Sequence, residues 1–186
     1  TTYDASIGTT MGQPVGSEDC LYLNIWRPAS DEKNLPVLVF VHGGSNISGY
    51  TADPIYDGAN LAKAANAVVV TVNYRLGILG FLNVPQLAQA DGEESGNFAL
   101  LDIAAALKFV QSDIAGFGGN PSNVTLSGES AGAVNLLAMM SSSRNAGLFH
   151  KAIEMSGGVS IGSNLPPRTV PALSPASASL AQGQGI

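Results

Sequence analysis

The sequence predicts an α/β domain with a mostly parallel central sheet and flanking helices. Two observations carry this. Residues 37–41 (VLVFV) and 67–73 (AVVVTVN) are apolar without alternation, as strands covered on both faces should be. Stretches of helical character at 59–65, 97–115 and 131–141 alternate with the strands, the pattern that crossover connections leave in a chain.

In chain order, residues 1–18 are rich in Gly and Thr and read as irregular. Residues 20–27 (CLYLNIWR) alternate, with Leu21, Leu23 and Ile25 on one side, and Pro28 closes this strand. A polar turn over 29–35 leads to the 37–41 strand, which is followed by a glycine-rich loop, HGGSNISG. Residues 59–65 read as a helix and 67–73 as the next buried strand, after which NYRLG and GFL fall in a loop. Leu100, Ile103, Leu107, Val110 and Ile114 are spaced by three and four, so 97–115 is a helix, ended by Gly116, Gly118, Gly119 and Pro121. Residues 123–127 form a short strand, 131–141 a helix and 152–155 one more strand. From 159 to 186 Ser, Pro, Ala and Gly dominate, which reads as a linker or surface segment.

The 186 residues are 45% apolar and only 12% charged, so much of the chain is expected to lie inside something. The net charge is −6 and the eight bases form no run, which argues against a nucleic-acid surface. No apolar stretch approaches the roughly 18 residues of a membrane span. The single cysteine, Cys20, can form no disulfide within the chain.

The strongest chemical signal is Gly128-Glu129-Ser130-Ala131-Gly132. It lies directly after an apolar strand and before an apolar helix, the setting of a nucleophile elbow. A serine on so sharp a turn has a strained backbone and an exposed hydroxyl, and residues two positions away must be small, as Gly128 and Gly132 are. Acyl transfer also needs backbone N–H donors aimed at the developing oxyanion, each worth about 3 kcal/mol. One donor follows the nucleophile, here Ala131, and the others come from a glycine-rich loop after an earlier strand, where His42-Gly43-Gly44-Ser45 stands.

With these residues in place, the chain resembles the type-B carboxylesterases, which include the cholinesterases. The strings are SEDCLYLNIW (17–26), HGGSNISG (42–49), VNYRLGILGFL (72–82), GNFALLD (96–102), FGGNPSNVTLSGESAGA (117–133) and LFHKAIEMSG (148–157), in the family's order. The resemblance covers 17–157 and implies part of an α/β-hydrolase domain spanning 1–186, acting on small-molecule carboxylic esters through an acyl-enzyme without metal or organic cofactor. It makes Ser130 the nucleophile and the N–H groups of Gly44, Ser45 and Ala131 the oxyanion hole, with Glu129 and Gly43 beside the site. Ser45 replaces a frequent third glycine, and Asn135 stands where the family usually has serine. The bridging partner of Cys20 is missing, as is the choline-binding tryptophan near Thr10, which points to a general carboxylesterase.

Two histidines compete for the role of catalytic base. His42 precedes Ser130 and belongs to the oxyanion loop, where it supports the turn; His150 falls in a string where it is structural. The fold's order of Ser, acid, His cannot be completed after Ser130, because Glu154 is the only acid there and no histidine follows it. The base and its carboxylate are therefore expected outside this chain, on a second chain or a continuation. Arg75 and Asp102 are expected in structural ion pairs, and Trp26 in the core. The alternative is a non-catalytic, cholinesterase-like adhesion module, which the intact Ser130 and loop glycines argue against.

Overall fold

The computed structural model describes residues 17–83 and 96–158. Most of the irregular leader read over 1–18, and the linker read over 159–186, lie outside the described residues. The described elements are β1 (Leu23–Trp26), β2 (Leu35–Val41), α1 (Ala59–Ala65), β3 (Val68–Val72), α2 (Gly77–Phe81), α3 (Phe98–Asp113), β4 (Gly119–Glu129), α4 (Ala131–Ser141) and β5 (Lys151–Met155). Short 3-10 turns lie at Pro54–Tyr56, Ile114–Phe117 and Ser143–Asn145.

The strands form one sheet in the order β1-β3-β2-β4-β5. β1 runs antiparallel to β3, and the other three pairings are parallel. The chain steps from β2 to β3 on one side, then crosses to β4 on the other side of β2. Strand order thus reverses between β2 and β4, and the crevice at the carboxyl ends of two such strands is where open α/β sheets hold ligands. Val41 is in register with Gly128, so the loop leaving β2 and the turn leaving β4 emerge side by side.

Alternation along the strands sorts the core. Val37, Val39, Val41, Val68, Val70, Val72, Val124 and Leu126 point to one face, where they pack against Ile103, Leu107 and Val110 of α3, Ile114, and Leu136 and Met139 of α4. The opposite face is covered unevenly. α1 lies there, with Ala62 fully buried, and a Cβ on Gly58 would stand 2.8 Å from Val69 and 2.7 Å from the Trp26 ring. Leu38 and Phe40 on that face of β2 remain half-buried, so the two-sided cover expected of 37–41 is complete on one side only among the described residues. Trp26 is itself half-buried and packs at the entry of α1, outside the main core.

Other differences are local. GILGF, read as loop, forms the one-and-a-half-turn α2. β4 begins at Gly119 and reaches Glu129, longer than the expected 123–127, with Leu35 opposite Gly119 across an irregular register. β5 pairs with β4 along its length, yet all five of its residues are exposed.

Candidate active site

Ser130 stands alone between β4 and α4 with φ 53° and ψ −120°. A side chain there is strained by contact with its own backbone, at a cost of order 1–3 kcal/mol, and the surroundings must enforce it. They do so through close packing of glycines. A Cβ on Gly132 would lie 2.1 Å from the Val41 carbonyl oxygen and one on Gly128 would meet the Gly132 oxygen, so only glycine lets α4 start against the end of β2. The Ser130 N–H donates to Met155 O at 2.8 Å, tying the turn to β5.

The loop after β2 comes to the same place. A Cβ on Gly43 would stand 3.0 Å from Ser130 Cβ and 2.7 Å from Glu129 Oε2. Gly44, Ser45 and Asn46 have φ of 105°, 56° and 59°, three consecutive left-handed residues.

All peptides among the described residues are trans, so in each unit the carbonyl and the following N–H point in opposite directions. The Gly43 carbonyl accepts from His42 Nδ1 at 2.8 Å, which turns the N–H of Gly44 the other way. The Gly44 carbonyl accepts from Ile47 N, Ser48 N and Ser48 Oγ at 3.0, 3.1 and 3.2 Å, which does the same for the N–H of Ser45. The Ser130 carbonyl accepts from Ala133 N and Val134 N at 3.0 and 3.1 Å, leaving the N–H of Ala131 pointing out of the helix start. Among the described residues none of these three N–H groups donates a hydrogen bond. Each carbonyl is anchored and each N–H is unspent, the condition for an oxyanion site that needs no reorganisation.

His42 lies beneath the loop, buried between Tyr74 and Tyr56 with ring centroids 4.6 and 6.0 Å away. Its Nδ1 carries the proton given to Gly43 O, and its carbonyl accepts from the Tyr74 hydroxyl at 2.7 Å. Burial holds the imidazole below its ordinary pKa, partly offset by the bond to Gly43. Its Nε2 is buried and has no hydrogen-bond partner among the described residues. Tyr56 is raised by burial, then by Asp53 and Glu129, which brings the charge of Glu129 into this corner.

His150 sits elsewhere. Its N–H donates to Val124 O at 2.8 Å and its Nδ1 accepts from Val124 N at 3.2 Å. Val124 is six strand positions before Ser130, about 20 Å at roughly 3.3 Å per residue. Arg75 and Asp102 form the expected structural pair: Asp102 is buried and accepts from Arg75 N, Nε and Nη2 at 2.9, 2.8 and 2.7 Å. Among the described residues no group of three or more His, Cys, Asp or Glu side chains is placed to hold a metal ion.

Sequence reasoning did not find Asn46 as a member of this site. Its amide donates to Asn135 Oδ1 at 3.2 Å and accepts from Asn135 Nδ2 at 2.8 Å.

Residues 2–174 match the sequence profile of the carboxylesterase family. The chain is 49% identical over 144 residues to the para-nitrobenzyl esterase of Bacillus subtilis (strain 168), covering 77% of this chain and 29% of that protein. It is 48% identical over 143 residues to the human (Homo sapiens) cocaine esterase, covering 76% and 24% respectively. A solved PNB esterase superposes with a TM-score of 0.76 at 43% identity, over 93% of this chain and 35% of that one. The chain thus spans about a quarter to a third of the length of these relatives.

Proposed function

The chain belongs to the carboxylesterase family and carries part of an α/β-hydrolase fold, and from that premise we propose that it supplies the nucleophile and oxyanion hole of a carboxylic-ester hydrolase. Ser130 Oγ attacks the carbonyl carbon of a small-molecule ester and gives up its proton to a general base. The carbonyl oxygen, now anionic, is received by the N–H groups of Gly44, Ser45 and Ala131. Collapse of the tetrahedral intermediate breaks the bond to the alcohol, which leaves with the base's proton. Water repeats the sequence on the acyl-enzyme and releases the acid. Glu129 and Gly43 border the reacting centre. The observation that carries this reading is the set of three peptides with anchored carbonyls and unspent N–H groups, one at the turn of the left-handed Ser130 and two on the loop whose Gly43 abuts it.

The base and its orienting carboxylate belong to polypeptide outside this chain. His150 is bonded to Val124, midway along β4, and His42 is locked under the loop with its Nδ1–H donated to Gly43 O. In the full-length protein, Ser130→Ala should abolish labelling by a serine-directed fluorophosphonate and lower ester turnover by at least about 10⁴-fold while leaving the fold intact. Retained labelling would refute Ser130 as nucleophile. A folded, unlabelled wild type would favour a non-catalytic binding module.

A further inference from the structure

The oxyanion site is assembled from two pieces of chain, a loop carrying Gly44 and Ser45 and a helix carrying Ala131. Its geometry depends on what holds the pieces together. Asn46 directly follows Ser45. Asn135 lies four residues after Ala131, one turn along the same face of α4. Their amides meet in a reciprocal pair, each donating to the other at 3.2 and 2.8 Å, and Asn135 is buried at 3% exposure. The Asn46 carbonyl also accepts from Gly77 N at 2.7 Å. Ser45 is left-handed without being glycine or asparagine, so the loop stores strain there and would relax if released.

We propose that the Asn46–Asn135 amide pair is a positioning clasp that fixes the N–H groups of Gly44 and Ser45 relative to that of Ala131. It touches no substrate and acts through the three donors. This rests on the esterase reading above. Shifting a donor by about 1 Å costs on the order of 100-fold in rate, so the clasp should be visible in kcat.

The test uses the full-length protein and p-nitrophenyl acetate, with Asn46→Ala, Asn135→Ala and the double variant. Each single change breaks both hydrogen bonds. Each should therefore lower kcat about 10- to 100-fold with KM within about 2-fold, and the double variant should be no worse than the worse single. Affinity for a trifluoromethyl ketone, which forms a tetrahedral oxyanion on the serine, should fall by the same factor as kcat/KM. Asn46 is half-buried, so Asn46→Ala decides the matter if Asn135→Ala does not fold. The clasp is overturned if Asn46→Ala leaves kcat unchanged while Ser130→Ala is inactive, if the double loss is the product of the single losses, or if lost activity only tracks lost folded protein. Turnover retained by Ser130→Ala overturns the esterase reading instead, and the two failures are distinguishable.

Discussion

At the scale of single residues, the site is governed by what cannot be substituted or ionised. His42 shows the second case. Its folded pKa is depressed by burial, so at neutral pH it is uncharged in both the folded and the unfolded protein and pH matters little. As pH falls through about 6.5, the unfolded chain takes up a proton that buried His42 refuses, and stability is lost with acid until the folded group also titrates. Urea midpoints of the full-length protein at pH 7.5 and 5.5 should differ less in His42→Asn than in wild type, since Asn can still donate to the Gly43 carbonyl without titrating. Equal differences in the two proteins would show that His42 does not set this dependence. The sharp turn at Ser130 was legible in the sequence because its requirement is local: glycine two places either side of Ser130, a strand before and a helix after. Asn46 was not, because its hydrogen-bond partner lies 89 positions away and asparagine in a glycine-rich loop is ordinary turn chemistry.

At the scale of elements, legibility followed burial. α1 and α4 were placed to the residue, and β2 and β3 to within two, because β-branched runs and apolar stripes bury whole faces. α2 was missed: five residues with two glycines carry no periodicity. It is held by tertiary contact with α3, for a Cβ on Gly80 would stand 3.1 Å from Ala99 Cβ. The start of β4 was missed because Gly-Asn-Pro-Ser spells a turn, although it runs beside β2 past an irregular register. Between β3 and α2 the chain is fastened to α3 by Arg75 and Asp102, with the guanidinium also 5.1 Å from the centre of the Phe98 ring. Arg75→Ala would leave a buried carboxylate without its cation. It should destabilise the full-length protein by about 2–3 kcal/mol, discounted for the partly exposed arginine, and Asp102→Asn should be milder. Calorimetric or denaturant unfolding of both variants checks this; an unchanged Arg75→Ala midpoint would remove the ion pair from the fold's supports.

At the scale of the whole molecule, the described residues form a sheet with one well-covered face and an uncovered flank. Ile153 and Met155 of β5 are 47% and 39% exposed, and Phe40 and Leu38 are only half-covered. A parallel strand exposed on both faces is a template for further pairing or for aggregation. Expressed alone, residues 1–186 should be poorly soluble and inactive toward simple esters. A soluble, monomeric fragment with Ser130-dependent turnover would overturn that and return His42 or His150 to contention as the base. The low charged fraction anticipated this exposed flank, but no local pattern could say which strand would lie at it. The bond from Ser130 N–H to Met155 O gives that edge a further meaning. The backbone of Ser130 is stitched to the least protected strand among the described residues, so any polypeptide that docks against β5 also braces the serine. The amide proton of Ser130 therefore works as a gauge of the sheet's border, slow to exchange with solvent when β5 is seated and quick when it peels away.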